Sequence, residues 1–141
     1  MRTDGRRAKA AAFSAVFRRG GLAIVAAAYA AALVAATHIP RPERLVGRFG
    51  HADKALHFVA YLLLAAFVTA AVRAAGWRSR RVAMGVALGL AAFGGADELT
   101  QPLFGRNAEL LDWAADCAGI ALGMAIVAIA SLGSGRGSRR A

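Results

Sequence analysis

The chain has 141 residues, 58% of them hydrophobic and 18% charged, with 18 Lys and Arg against 8 Asp and Glu for a formal net charge of +10. That length holds one domain at most, and a soluble domain of this size would be nearer roughly a quarter charged. The single cysteine, Cys117, excludes an internal disulfide and a Cys-rich metal centre.

The distribution of charge decides the class. Gly20–Pro40, Ala55–Val72, Val82–Ala96 and Cys117–Gly135 contain no Asp, Glu, Lys or Arg. A helix needs roughly 20 apolar residues to cross a bilayer core. The third run is short only because Asp97 and Glu98 interrupt it, and the sequence is uncharged again from Leu99 to Gly105. A soluble surface helix would show a polar stripe, and the first and fourth runs have almost none. The expected fold is all-α and polytopic, with four transmembrane helices at 20–38, 55–72, 82–101 and 112–132. They form a membrane domain over 20–132, flanked by basic segments at 1–19 and 133–141.

In chain order, the amino-terminal segment carries Arg2, Arg6, Arg7, Lys9, Arg18 and Arg19. From Arg6 to Arg19 it reads equally well as a basic helix on the membrane surface or as a flexible tail. The first apolar run is longer than the ~7–15-residue core of a signal peptide, so this span is expected to be retained. The second span opens on Asp53, and Asp53, His57 and Tyr61 recur every four residues along one side of it. The third contains Gly85-x-x-x-Gly89, a spacing that permits close helix approach. It ends in Asp97, Glu98 and Gln101, which share a face at about 100° per residue. Gly85 and Gly89 point away from that face, so the third helix is expected to pack on both sides and to lie centrally. Pro102 and Gly105 break it, and Arg106 sits in the turn. On the fourth span Asp112, Asp116, Gly119 and Gly123 fall along one stripe.

Thirteen of the 18 basic residues lie in the two termini and in the loop after the second span, Arg73 to Arg81, and five lie on the other side. The positive-inside rule then places both termini in the cytoplasm. These residues flank membrane spans without a groove-reading motif, so anionic lipid is the expected partner and nucleic acid is not. On this topology every acidic residue except Asp4 falls on the outer half, and three helices bring polar groups to one depth. Charged groups in a bilayer normally face the bundle interior and find partners. For one pair an interhelical fastener is the simpler explanation, whereas seven polar groups at one level favour a site.

Three blocks resemble the VanZ-like family of bacterial membrane proteins. They are Asp53-Lys54-x-x-His57-Phe58-x-x-Tyr61-x-x-Leu64, Glu98-Leu99-x-Gln101 followed by Gly105-Arg106, and Asp112-x-x-x-Asp116-x-x-Gly119-x-x-x-Gly123. The resemblance covers 53–123, and the first span and the tails add little to it. The chain departs from the pattern in Asp116, where the family often has Asn, and in its compact segment from Gln101 to Arg106. The resemblance implies a multi-pass protein of the bacterial cytoplasmic membrane with an envelope role. The family takes its name from a protein associated with low-level teicoplanin resistance, so it also implies a possible glycopeptide link, and it supplies no reaction.

Three readings of the cluster follow. In the first, an enzyme or lipid handler uses His57 as base, Glu98 as acid and Arg106 as anion clamp, with Asp53 orienting the imidazole. Tyr61, Asp97, Gln101, Asp112 and Asp116 then line the substrate. In the second, the same residues bind a lipid-linked envelope precursor, a glycopeptide or a protein partner without chemistry. In the third, His57, Glu98, Asp112 and Asp116 ligate a metal or line an ion path. The lack of an H-x-x-x-H or H-E-x-x-H pattern counts against a zinc hydrolase, and the apolar inner halves count against conduction. No metal or cofactor is assigned, and the sequence leaves the oligomeric state open.

Overall fold

The computed structural model describes the backbone of residues 3–39 and 50–137, and in detail the side chains of 19–39 and 53–132. The expected outer loop with Arg41, Glu43, Arg44 and Arg48 lies outside the described residues, as do Arg139 and Arg140 of the tail. Every regular element among the described residues is helical: α1 (Thr3–Thr37), α2 (Gly50–Ala74), α3 (Arg80–Thr100), a 3-10 turn (Gln101–Phe104) and α4 (Leu110–Gly137).

Four segments are long and apolar enough to cross a membrane: Arg19–Thr37, Asp53–Ala74, Arg80–Phe104 and Leu110–Leu132. Their surface agrees with that reading. Ile24, Leu88 and Ile129 are each about two-thirds exposed, at 70%, 67% and 68%, an arrangement that suits lipid and would be costly in water over so large an area. The protein is a multi-pass helical membrane protein. The alanine-rich basic segment is helical and continuous with the first span, giving α1 35 residues and a length of roughly 52 Å at 1.5 Å per residue.

The small core is made by Leu33, Tyr61, Leu64, Ala65, Leu90 and Ile120. Its closest seam lies between α2 and α4. A Cβ on Gly119 would run into the Phe58 carbonyl oxygen, and one on Gly123 into the Leu62 carbonyl oxygen. Only glycine lets the two backbones meet there. α1 docks on α2 through the Tyr29 hydroxyl, which donates to the Ala60 carbonyl at 3.2 Å, and through an edge-on contact between Tyr29 and Phe67 at 5.4 Å. α3 docks on α4, where the Trp113 indole N–H donates to the Ala91 carbonyl at 2.9 Å.

The broadest packing against neighbouring helices is made by α2, not by the third helix, which does not pack on both sides. α3 turns inward through Leu90, Gly94, Asp97 and Glu98, which leaves Gly85 and Gly89 on its far side with nothing within 4 Å of a built Cβ. The close approach expected of that stripe is made by Gly119 and Gly123 alone.

Gly119→Ala should lower bundle stability by about 1–3 kcal/mol, since an inserted methyl meets rigid backbone. Gly85→Ala should change it by no more than about 1 kcal/mol, in the favourable direction. Thermal unfolding of both variants in detergent, followed by circular dichroism, checks the contrast.

Candidate functional site

Antiparallel packing sets the carboxyl ends of α1 and α3 beside the amino ends of α2 and α4. The carboxylates of the described spans meet at that end, and each finds a partner on another element. At the centre, His57 of α2 donates from Nδ1 to Asp116 Oδ1 of α4 at 3.0 Å. The same nitrogen lies 3.5 Å from Glu98 Oε1 of α3. All three are buried, with side chains 3%, 0% and 6% exposed for His57, Asp116 and Glu98.

Glu98 is held on both oxygens. Gln101 Nε2 donates to Oε1 at 2.9 Å, and the backbone N–H of Glu109 donates to Oε2 at 3.0 Å. Glu109 directly precedes α4, where backbone N–H groups lack intrahelical acceptors and the helix dipole favours an anion. A carboxylate from α3 thus caps the start of α4.

Two further ties surround this centre. Lys54 Nζ of α2 donates to Glu109 Oε2 at 2.7 Å and to Asp112 Oδ1 at 3.0 Å. On α1, the Thr37 hydroxyl donates to Asp97 Oδ1 of α3 at 2.8 Å. The next residue, His38, must donate from Nδ1 to the Val34 carbonyl at 2.8 Å, because a carbonyl only accepts. Its Nε2 bonds the Thr100 hydroxyl at 2.9 Å, and the ring stands edge-on to Phe104 at 4.6 Å.

The 3-10 turn aims the remaining cation. Pro102 starts it, and Gly105 ends it in the left-handed region at φ 75°, a conformation glycine adopts without strain. The chain then reverses, so that Arg106 Nη1 donates to the Thr37 carbonyl at 3.0 Å and Nη2 lies 3.4 Å from Asp53 Oδ1. A cation on one of the last carbonyls of α1 also suits that helix's dipole.

His57, Tyr61, Asp97, Glu98, Gln101, Asp112 and Asp116 are brought together and buried, while Asp53 and Arg106 stand at the rim. One assignment changes. Asp116, not Asp53, orients the His57 imidazole, because Asp53 faces Arg106. Arg106 pairs with Asp53, and the bonds of Glu98 go to Gln101 and Glu109. Thr37, His38, Gly94, Glu109 and Trp113 were not expected at the site, and Lys54 was marked only by the block that resembles the VanZ-like family. Thr37 and His38 ended an otherwise apolar run at the same depth as the cluster, and that coincidence was the available signal.

Gly94 lets Asp116 and Tyr61 close on the α3 backbone at the centre. A Cβ there would stand 3.1 Å from Asp116 Oδ2 and 3.2 Å from Tyr61 Cε1. Neither Asp116 Oδ2 nor the Tyr61 hydroxyl has a hydrogen-bond partner among the described residues. Ligand atoms of His57, Glu98 and Asp116 lie within 4.8 Å of one another, as do those of Asp53, His57 and Asp112.

Glu109, in the short link before α4, is held below the usual carboxylate range by the hydrogen bond from Lys54. A depressed folded-state pKa contributes stability above the unfolded value and loses it as pH falls through the folded value. The melting-temperature gap between wild type and Glu109→Gln should be full above about pH 4.5, the ordinary glutamate value. It should close as the pH falls further, and melting curves of both proteins at stepped pH check this.

Comparison with protein-family models, with curated proteins and with solved structures gives no match to this chain.

Proposed function

We propose that the chain is a non-catalytic membrane protein whose polar residues fasten four helices at one depth and whose rim binds a partner. The enclosure of His57, Glu98 and Asp116 carries this reading. A general acid and base must come within hydrogen-bond reach of the group they serve. Here both oxygens of Glu98 are already bonded, and the three side chains are at most 6% exposed. Such groups hold helices together more readily than they meet a substrate.

The open part of the layer is its rim, where the Lys54, Asp53 and Glu109 side chains are 31%, 45% and 49% exposed. The three blocks that resemble VanZ-like proteins support a place in the bacterial cytoplasmic membrane and an envelope role. The positive-inside rule supports cytoplasmic termini, which turns the rim toward the outer leaflet. There it would meet a lipid-linked envelope precursor or a glycopeptide such as teicoplanin. Catalysis by His57 and Glu98 is the second reading, favoured by an imidazole set between two carboxylates.

Removing one partner of a buried ion pair costs about 3–5 kcal/mol. His57→Ala and Glu98→Gln should therefore lower melting temperature and membrane abundance, whereas Asp53→Ala should insert normally and lose partner binding. Expression in a teicoplanin-susceptible bacterium, with survival, abundance and melting measured together, separates the readings. His57→Ala and Glu98→Gln proteins that melt like the wild type yet lose resistance would favour catalysis and sink the fastener. Cysteine at position 50 should react with an impermeant reagent from outside the cell, and reaction only after lysis would reverse the orientation.

A further inference from the structure

We infer that His57, Glu98 and Asp116 hold one divalent transition-metal ion at the centre of the layer. Among the described residues, the carboxylates that meet there are those of Asp53, Asp97, Glu98, Glu109, Asp112 and Asp116, and the fixed cations beside them are Lys54 and Arg106. Lys54 serves Glu109 and Asp112, and Arg106 serves Asp53. Asp97 accepts from the Thr37 hydroxyl. Asp97, Glu98 and Asp116 are left with histidine and neutral donors, so among the described residues the shortage of positive charge falls on buried carboxylates, two of which, Glu98 and Asp116, meet at the His57 imidazole.

The geometry fits an ion that takes the place of the His57 Nδ1 proton, which is released to solvent as the metal binds. His57 Nδ1 lies 3.0 Å from Asp116 Oδ1 and 3.5 Å from Glu98 Oε1. Metal–ligand bonds of about 2.0–2.2 Å set neighbouring ligand atoms roughly 3.0–3.5 Å apart. The donors come from three helices, and the Gln101 amide and the Glu109 N–H fix the Glu98 carboxylate from behind, as outer-shell partners do in metal sites.

A separate observation points to the same place. The Tyr61 hydroxyl belongs to a residue that is 0% exposed and has no hydrogen-bond partner among the described residues, and the Tyr61 ring and Asp116 Oδ2, itself without a partner, close together on Gly94. Buried polar groups without partners are rare and costly. A water on the ion would accept a hydrogen bond from the Tyr61 hydroxyl and donate one to Asp116 Oδ2. An imidazole with two carboxylates suits zinc, manganese or iron better than calcium or magnesium. The overlapping set of Asp53, His57 and Asp112 is the poorer candidate, because its carboxylates already face Arg106 and Lys54.

The test is metal content of the full chain in detergent, with any affinity tag removed, stripped with chelator and titrated separately with Zn2+ and Mn2+. Wild type should take up about one ion per chain of at least one of the two, and melt at a higher temperature once loaded, because a ligand that binds only the folded state stabilises it. Asp116→Asn and His57→Gln should each weaken binding at least tenfold, while Asp53→Asn should bind as wild type does. Wild-type protein that binds neither ion near one equivalent would overturn the inference, and that result needs no variant to fold. Asp116→Asn and His57→Gln proteins that bind as tightly as wild type would overturn it as well. The site needs only the buried layer, so its failure would leave the envelope reading standing.

Discussion

An ionised side chain at membrane depth costs several kcal/mol unless a partner takes it, and five carboxylates lie within the apolar spans of this chain. They are Asp53, Asp97, Glu98, Asp112 and Asp116. Satisfying them dictates much of the arrangement at this end of the bundle. α2 must bring His57 and Lys54 to α4, α1 must end where Thr37 reaches Asp97, and the turn after α3 must return Arg106 to Asp53. A helix rotated away from these contacts would leave a buried charge alone, so the layer sets rotation and register that greasy surfaces define poorly.

Close packing makes the layer achievable. Gly119 and Gly123 let α4 lie on the α2 backbone, and the same stripe of α4 carries Asp112 and Asp116 up to Lys54 and His57. One turn further along, Glu98 caps α4 from outside. The seam and the capped end support each other: close approach makes the ion pairs short, and the ion pairs hold the approach in register. Specificity gained from buried polar groups is often accompanied by little net stability. The enclosed pair of Glu98 and Asp116 shows why a counter-ion would matter here.

Much of this was legible in the residues. Charge-free runs located four spans because the bilayer penalises every charge, and the structural spans differ from the expected ones by at most three residues at any end. Polar spacing of three and four residues found the cluster, because such residues share a helix face. Partner choice was not legible. Whether Asp53 faces His57 or Arg106 depends on how far the 3-10 turn carries the chain back, which Pro102 and Gly105 hint at without setting. The two glycine pairs look alike in sequence, yet only Gly119 and Gly123 meet a backbone, since spacing describes a smooth face and not what covers it. Thr37 and His38 were passed over because uncharged residues do not interrupt an apolar run.

The central claim is that the buried layer couples the helices energetically, and a double-mutant cycle on His57 and Asp116 tests it most directly. Unfolding free energies would be measured in detergent for wild type, His57→Ala, Asp116→Ala and the double variant. Groups in direct contact within one network show coupling of about 0.5–3 kcal/mol, and a pair this enclosed should fall in the upper half of that range. Effects that add to within about 0.5 kcal/mol would contradict the account, because the two side chains would then be neighbours without being partners.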